Sequence, residues 1–265
     1  MKVIDLFCGA GGLSTGFTQA GFDVVLGVDN WPTAIRTFKE NHPEAGAWCK
    51  DIADVGKLPE CDIIIGSPPC PEWSIGKQGK RNYDTTLIDH FNRLVIENKP
   101  RVWIWENVPL TASLSKNCVL LDAKYYGAPQ KRRRAFHSNI IIDPPRNGKI
   151  LTLDDVMGWE EPKVLYNHFA LNTKAHSPIY LSNRPARTAV TWPIRIYPEG
   201  VFTVDMMKKV QGFPDNYHFC GTEPEQYRQI GNAVPPPLAR AIAQNILEEG
   251  IRYPKGDKSL REVFA

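Results

Sequence analysis

Short apolar runs alternate with amphipathic segments through the first 108 residues of the chain. The apolar runs have the length of buried β-strands, and the amphipathic segments between them are typical of helices. The predicted strands are residues 3–7, 24–29, 48–52 (ending at Asp51), 61–66 and 101–108, and the predicted helices are residues 13–20, 33–41 and 85–98. This rhythm predicts an α/β fold with a doubly wound, mostly parallel sheet, because consecutive parallel strands need crossover helices between them.

The rhythm weakens after residue 108. Residues 117–125 and 133–142 still have the pattern of strands, and residues 237–249 have that of a helix. Residues 143–183 are rich in Pro, Asn, His and Lys and show little periodicity, which predicts a small separate lobe of loops and short strands. A chain of 265 residues is long enough for one α/β domain with such a lobe appended.

The overall composition excludes several classes of protein. With 42% hydrophobic and 23% charged residues the chain is not globally disordered. It has no apolar run of about 18 residues and no leader-like N-terminus, so we expect a cytoplasmic protein with no membrane partner. A net charge of +3 does not by itself predict a nucleic-acid partner, but the basic residues cluster at residues 77–81 and 131–134.

The six cysteines are scattered, without a CxxC pair or a matching histidine pair, so no metal site and no disulfide framework are predicted. Reduced thiols are the expectation for a cytoplasmic protein. Five of the six are expected to be small buried residues, namely Cys8, Cys49, Cys61, Cys118 and Cys220.

A glycine-rich segment, DLFCGAGG (residues 5–12), follows the first predicted strand and enters a helix. Glycines there let the backbone approach a ligand, although a tight structural turn has the same pattern. A dinucleotide site would have a glycine at position 14, where this chain has Ser14. Asp29 ends the second strand, where a carboxylate can hold ribose hydroxyls, and Asp51 could accept from an adenine amino group. S-adenosylmethionine, a nucleoside without a pyrophosphate, fits this pattern better than NAD.

Cys70 follows an apolar strand in the segment IIIGSPPCPEWS (residues 63–74). Ligands of open α/β sheets bind outside the carboxyl ends of the strands, and Pro68 and Pro69 stiffen the chain just before the thiol. A cysteine thiolate is a strong nucleophile. A single cysteine is more often a small core residue, but a core cysteine would not need this loop position.

Glu106 and the basic run QKRRRAF (residues 130–136) are two further candidates. Glu106 follows the apolar residues 103–105 directly, so burial would raise its pKa and favour a carboxyl that donates or shares a proton. On a strand, Arg132 and Arg134 would point to one face and Lys131 and Arg133 to the other. The alternative for Glu106 is a solvated carboxylate at a strand end, and the alternative for the basic run is a solvated edge strand.

Seven segments together resemble the successive motifs of the cytosine-C5 DNA methyltransferase family. In chain order they are DLFCGAGGLSTGF (5–17), SPPCPEWS (67–74), ENV (106–108), YYGAPQKRRRAF (125–136), RPARTAVT (184–191), VQGFPDNY (210–217) and IGNAVPPPLARAI (230–242). The resemblance covers most of residues 1–142 and 184–250, and the ordered co-occurrence of these motifs is far more specific than any single one.

The resemblance implies a role for each candidate. In the family, a thiolate at the position of Cys70 adds to carbon 6 of a flipped-out cytosine, which makes carbon 5 nucleophilic toward the methyl group of S-adenosylmethionine. The carboxyl at the position of Glu106 contacts ring N3. The guanidinium at the position of Arg134 holds the base from its O2 side, with Arg132 nearby.

The resemblance also implies the binding positions and the domains. The cofactor positions are Phe7, Gly9, Gly11, Asp29, Asp51, Ile52, Pro69, Asn232 and Val234. The positions expected to contact DNA are Ser74, Lys77, Lys80 and Arg81. Residues 1–142 with 224–265 would form the catalytic domain and residues 143–223 the target-recognition lobe. The expected partners are double-stranded DNA, on which the chain would act as a monomer near the nucleoid, and a cognate restriction endonuclease.

Three features depart from the family pattern. Pro71 stands where glutamine is usual, residues 108–129 are too few for the usual core helix, and residues 143–183 form a small recognition region. Two alternatives therefore stay open: a catalytically weak homologue that binds DNA or S-adenosylmethionine, and an enzyme that acts on transfer RNA. The Cys-Phe-Thr motif of the transfer-RNA branch is not present in the sequence.

Overall fold

The computed structural model describes residues 1–69, 84–166, 180–189, 191–197 and 200–254. Seven strands form the main sheet in the order β3-β2-β1-β4-β5-β7-β6. They are β1 (Lys2–Leu6), β2 (Asp23–Asp29), β3 (Gly46–Cys49), β4 (Ile63–Gly66), β5 (Val102–Asn107), β6 (Cys118–Asp122) and β7 (Arg133–Ser138). The first five strands pair in parallel, and β7 pairs antiparallel with both β5 and β6. The prediction of a doubly wound, mostly parallel sheet is confirmed.

Both faces of the main sheet are covered, because its strands are apolar on both sides. Ile63 and Ile65 belong to one core cluster and Ile64 to the other, as the two-residue period of a strand requires. The helices around this sheet are α1 (Gly12–Gln19), α2 (Pro32–Asn41), α3 (Thr86–Asn98) and α7 (Pro236–Glu249). Phe17 of α1 packs with Leu238 of α7 on the first face, so the C-terminal helix lies beside the N-terminal one.

A second, three-stranded antiparallel sheet has the order β10-β8-β9. Its strands are β8 (Val164–Tyr166), β9 (Tyr180–Leu181) and β10 (Arg195–Tyr197), and the helices near it are α4 (Leu153–Met157), α5 (Val204–Gln211) and α6 (Glu223–Asn232). A third core cluster joins these elements around Leu165, Phe202 and Ile230, and it includes Ala10 from the glycine-rich turn. Short strands were predicted for this region, whereas α4 and α5 were not.

Three predicted strands end earlier than their apolar runs suggest. The third strand ends at Cys49 and not at Asp51, because the Asp51 carboxylate accepts the Ala53 N–H (2.9 Å) and caps a 3-10 helix, Ile52–Asp54. The sixth ends at Asp122, whose side chain likewise caps the 3-10 helix Ala123–Tyr125.

The seventh strand ends at Ser138. After Ser138, a side chain replaces the backbone in pairing with β5: the Oδ1 of Asn139 accepts the Trp103 N–H across 2.9 Å. Between β5 and β6, where every residue is described, the chain forms a 3-10 helix, Pro109–Leu114, and no α-helix, as the short segment predicts.

The cysteine prediction was wrong for most of the described thiols. Of the five described cysteines, only Cys8 is buried; Cys61, Cys118 and Cys220 are half-buried and Cys49 is exposed. Cys49 is exposed because it is the last residue of β3, the strand at the edge of the sheet. Within the described parts of the chain, no helix combines the length and the apolarity that a membrane span requires.

Candidate active site

A cavity of about 410 Å³ opens at the carboxyl ends of β1, β2, β4 and β5, where the strand order reverses around β1. This is the edge at which open α/β sheets bind ligands, and the volume lies in the range of small-molecule sites. The predicted site residues that line it are Phe7, Gly9, Asp29, Pro69, Glu106, Arg132, Arg134, Asn232 and Val234.

The turn after β1 forms the floor of the cavity. Phe7 has a φ of 58° and Gly9 a φ of 52°, so the chain twice enters the left-handed region within three residues. No atom lies within 4 Å of the position a Cβ would occupy on Gly9, which faces the open space. A Cβ on Gly12 would collide with the carbonyl oxygen of Val234. The glycines thus let a ligand approach on one side and the late segment approach on the other.

Asp29 is fixed in this turn by two backbone N–H groups. Its Oδ2 accepts the Gly9 N–H (2.9 Å) and its Oδ1 accepts the Trp31 N–H (2.8 Å). Burial raises the pKa of Asp29, and the backbone hydrogen bonds from Trp31, Gly9 and Asn30 oppose that shift. The oriented carboxylate keeps lone pairs with which it can accept from the hydroxyls of a ribose.

Trp31 and Arg228 were not predicted, and both line the cavity. The guanidinium carbon of Arg228 lies 4.5 Å from the centroid of the Trp31 ring, which is the geometry of a cation–π contact. A flat aromatic wall beside the Asp29 carboxylate suits an adenine. The size of the cavity and this aromatic wall therefore fit an adenosine-containing cofactor. The charged residues of the lining are two carboxylates and three guanidiniums: Asp29, Glu106, Arg132, Arg134 and Arg228.

Glu106, which is buried, and Arg134, which is partly exposed, form an ion pair on the neighbouring strands β5 and β7. The Arg134 Nε donates to Glu106 Oε1 across 3.0 Å. Burial raises the pKa of Glu106, while the positive charges of Arg134 and then Arg132 oppose the shift. A raised pKa favours a carboxyl that can donate or share a proton.

Arg132 lines the cavity beside this pair and is itself anchored by two distant segments. Its two terminal nitrogens donate to the carbonyl oxygens of Ala189 (2.9 Å) and Gly231 (3.0 Å). Its buried Nε has no hydrogen-bond partner among the described residues. Lys131 and Arg133 are exposed on the opposite side, so the chain alternates here as the sequence predicts.

Asn107 and two glutamines hold the walls of the cavity, and sequence reasoning missed all three. Asn107 Nδ2 donates to the carbonyl oxygen of Pro68 (2.9 Å), which ties the proline segment to β5. The Gln211 Nε2 donates to the carbonyl oxygens of Ile230 (2.7 Å) and Ala233 (2.6 Å), on either side of the cavity residue Asn232.

The second glutamine, Gln130, connects Gln211 to the sheet. Its Nε2 donates to Gln211 Oε1 and to the carbonyl oxygen of Val210 (3.0 Å), and its Oε1 accepts the Ala189 N–H (2.9 Å). Both glutamines are fully buried. This pair of side-chain amides therefore joins four segments that are far apart in the sequence.

The remaining predicted residues do not line the cavity or fall outside the described residues. The Asp51 carboxylate caps the 3-10 helix and Ile52 is buried in the core, so neither lines the cavity. Gly11 lies behind it, where a Cβ would come within 2.8 Å of both His42 and Tyr217. The residues outside the described ranges are Cys70, Ser74, Lys77, Lys80 and Arg81. Pro69, the residue before Cys70, is part of the cavity wall.

The fold and the cavity define a Rossmann-like transferase that works with an adenosine-containing cofactor. The sequence model of the C-5 cytosine-specific DNA methylase family matches residues 1–120 and 181–248 of this chain. The chain belongs to this family. It is a DNA (cytosine-5)-methyltransferase, and its methyl donor is S-adenosylmethionine.

Curated relatives agree with this assignment, and a solved structure shares the fold. The type II methyltransferase M.HgiDI of Herpetosiphon aurantiacus is 33% identical, over 93% of this chain and 94% of its own length. The type II methyltransferase M.XorII of Xanthomonas oryzae is 28% identical, over 97% of this chain and 89% of its own length. A crystal structure from E. coli, provisionally assigned as a prophage-encoded DNA modification methyltransferase, superposes with a TM-score of 0.70 at 23% identity, covering 93% of this chain and 98% of its own.

Proposed function

We propose that the enzyme methylates carbon 5 of a flipped-out cytosine in duplex DNA through a covalent adduct with Cys70. The observation that carries this proposal is the ion pair of Glu106 and Arg134. It lines the same cavity as the ribose-binding Asp29 and as Pro69, the residue before the thiol. A proton donor, a cofactor pocket and the neighbour of a nucleophile thus meet in one cavity.

The chemistry follows from the weak reactivity of cytosine carbon 5. The Cys70 thiolate adds to carbon 6, and the Glu106 carboxyl donates its proton to N3 as negative charge accumulates there. Carbon 5 then takes the methyl group that S-adenosylmethionine supplies. C5 then loses its proton to water, N3 returns its proton to the Glu106 carboxylate, and departure of the thiolate from carbon 6 restores the aromatic ring. Arg134 holds Glu106 and is available to the O2 side of the base.

Arg132 acts in this proposal by positioning the site. Its two terminal nitrogens donate to backbone carbonyls and its Nε is buried, so its guanidinium is anchored within the protein. Its guanidinium fixes the segments that carry Ala189 and Gly231 relative to the Glu106–Arg134 pair.

S-adenosylmethionine would be held by residues of the turn and of the returning segment. Asp29 would accept from the ribose, Trp31 would stack on the adenine, and Phe7, Gly9 and Asn232 would complete the wall. Pro69 and Val234 line the same cavity. Gly11 would contribute indirectly, because the absence of a Cβ lets the turn pack against His42 and Tyr217. Asp51 and Ile52 would have to reach the adenine from the outer rim.

A cytosine inside a duplex does not expose carbon 6, so the base must leave the helix at a cost of a few kcal/mol. We propose that Ser74, Lys77, Lys80 and Arg81 contact the DNA backbone around the flipped base. Residues 143–223 would form the target-recognition lobe on a catalytic domain of residues 1–142 and 224–265. The separate sheet β10-β8-β9 supports this division.

We also propose that the enzyme acts as a monomer on DNA, in the cytoplasm at the nucleoid, and that a restriction endonuclease shares its target site. The support is that the relatives named above are type II methyltransferases. Sedimentation of the protein on a duplex containing one target site tests the stoichiometry, and two chains per site would contradict it.

The decisive experiment is transfer of labelled methyl groups from S-adenosylmethionine to unmethylated duplex DNA. Label on cytosine carbon 5 is expected with the native enzyme and with Cys49→Ser, which changes an exposed thiol, but not with Cys70→Ala. A duplex with fluorine at cytosine carbon 5 is expected to trap the adduct, because the fluorine cannot leave as a proton does. Turnover by Cys70→Ala would overturn the covalent route. Label on transfer RNA alone would support an enzyme that acts on transfer RNA. Label on neither nucleic acid, despite cofactor binding, would support a catalytically weak homologue.

A further inference from the structure

Three side chains of different chemistry converge near the C-terminal end of α2. Glu40 lies near the end of α2, and His218 and Cys220 lie two residues apart in the segment before α6. The His218 Nδ1 is 2.5 Å from Glu40 Oε2, and the Cys220 Sγ is 3.1 Å from Glu40 Oε1. The three ligating atoms all lie within 4.8 Å of one another. This is a carboxylate, an imidazole and a thiol around one point.

We propose that Glu40, His218 and Cys220 bind a divalent cation of the zinc class. Thiolate, imidazole and carboxylate are the three protein ligands of zinc, with bond lengths of roughly 2.0–2.3 Å. Tetrahedral bonds of that length place the ligand atoms roughly 3.3–3.7 Å apart. A small outward rotation of two exposed side chains reaches this spacing: His218 is 69% and Glu40 50% exposed. Water would complete the coordination from the solvent side.

The backbone that carries the two ligands is held firmly against its surroundings. Asn41 accepts the His218 N–H (2.9 Å) with its Oδ1 and donates to the His218 carbonyl oxygen (2.7 Å) with its Nδ2. Thr37 accepts the Cys220 N–H (2.9 Å), and Gln229 donates to the Cys220 carbonyl oxygen (2.8 Å). Three side chains outside the cluster thus fix the positions from which the ligands project, so little ordering remains for the metal to impose.

The position gives the metal a structural role. α2 begins three residues after Asp29, and the segment 218–220 leads into α6, which ends at Asn232. Both Asp29 and Asn232 line the cofactor cavity. A cation at Glu40, His218 and Cys220 would therefore link α2 to the segment before α6, the two elements next to these cavity residues.

One nearby charge opposes the site. Arg36 lies one helical turn before Glu40 on α2 and contributes a positive potential at both Glu40 and Cys220. A metal cation would be repelled by this guanidinium, so removing its charge should strengthen binding. Binding also requires the thiol to become a thiolate, and the proton from Cys220 passes to the buffer.

The test is titration of chelator-treated, reduced protein with Co²⁺, followed by displacement with Zn²⁺. One Co²⁺ per chain and a cobalt–thiolate charge-transfer band are expected, together with release of one proton and a rise in Tm. Cys220→Ser should abolish the band. His218→Gln should weaken binding by more than about 10-fold, because loss of an outer-shell partner alone costs about 10- to 100-fold and His218 is a ligand. Arg36→Gln should strengthen binding.

Cys49→Ser and Cys70→Ala should leave the band unchanged, which assigns the thiolate. His218→Gln guards against misfolding as a cause of lost binding, because its side chain is exposed. No thiolate band in the native protein at millimolar Co²⁺ would overturn the proposal. So would a band that survives Cys220→Ser and His218→Gln, and the contacts of Glu40 would then be a plain ion pair and a thiol–carboxylate hydrogen bond.

Discussion

The Nε of Arg134 donates to Glu106 Oε1 across 3.0 Å, between two antiparallel strands that meet at the mouth of the cofactor cavity. The pair places a desolvated carboxyl whose pKa is raised beside a cation that limits the rise. Glu106 therefore binds a proton more readily than an exposed glutamate does, and Arg134 compensates the charge of its ionised form.

Glu106→Gln should lower kcat by about 100-fold or more, because the amide cannot donate a proton to the base as a carboxylic acid does. The affinity for duplex DNA should change little. Methyl transfer by the native enzyme should decline as pH rises through the raised pKa of Glu106, and the variant should lack that decline. Single-turnover rates across pH measure both effects. Glu97→Gln, on the exposed face of α3, is the control. Lost DNA affinity with unchanged kcat would give Glu106 a structural role.

Gln211→Met should weaken both stability and cofactor binding. The substitution keeps the volume but removes the donors to the Ile230 and Ala233 carbonyl oxygens and leaves them buried without that partner. We expect the free energy of unfolding to fall by about 2–4 kcal/mol, since each unsatisfied buried group costs about 1–3 kcal/mol. The KM for S-adenosylmethionine should rise, because those carbonyls flank Asn232. Denaturant unfolding and initial rates measure the two effects.

Gln19→Met, at the exposed end of α1, is the matched control for that substitution. If Gln211→Met unfolds like the native protein and keeps its KM, the two buried amides do not position the returning segment.

The parallel part of the fold was predictable because its strands are short apolar runs with clear ends. Where a strand ends by side-chain capping, as at Asp51, the apolar run gave the wrong boundary. An aspartate that caps a turn and an aspartate that binds a ligand have the same local sequence pattern. Only the structure shows that the Asp51 carboxylate is used by the Ala53 N–H.

The location of a residue was predictable where one motif ends a strand, as with Glu106, which lines the cavity. It was not predictable where the function lies in a contact between distant residues. Trp31 meets Arg228, and Gln130 meets Gln211. No periodicity or spacing connects such pairs, because the sheet order and the return of the C-terminal segment bring them together. The family motifs contain Gln130 and Gln211 but do not say what their side chains bind.

Asp5 should make stability depend on pH. Burial raises its pKa to about 7, partly opposed by the hydrogen bond from Ser14 Oγ (2.6 Å). Between about pH 4 and 7 the folded chain therefore holds a proton that the unfolded chain has lost. The stabilising contribution is complete below about pH 4 and is lost as pH rises toward 7, by roughly 1 kcal/mol per pH unit.

Asp5→Asn cannot ionise and should lack that slope, while Asp23→Asn, an exposed residue, should keep it. Denaturant unfolding of the three proteins between pH 4 and 8 measures the difference. Parallel curves for native protein and Asp5→Asn would show that Asp5 has an ordinary pKa in the folded state.

Lys80→Ala and Arg81→Ala should weaken DNA binding and flatten its dependence on salt. Each lost phosphate contact reduces the slope of log K against log salt by about 0.9. Fluorescence anisotropy with a labelled duplex between about 50 and 200 mM salt measures this slope. Lys57→Ala, at an exposed lysine after the 3-10 helix, is the control. Slopes that match the native one would remove these residues from the DNA interface.

Trp31→Ala and Arg228→Gln should each raise the KM for S-adenosylmethionine while leaving the KM for DNA unchanged. The guanidinium of Arg228 lies against the Trp31 ring at 4.5 Å and holds it in the cavity wall. A cation–π contact at a partly exposed site is worth about 0.5–1 kcal/mol, so Arg228→Gln should raise KM about two- to five-fold. Trp31→Ala should have a larger effect, because it removes the stacking surface itself. Arg228→Lys keeps a cation, so its KM for S-adenosylmethionine should lie between those of the native enzyme and Arg228→Gln. If the double variant of Trp31 and Arg228 shows the sum of two independent free-energy changes, the contact does not couple these residues and Arg228 does not act through the ring.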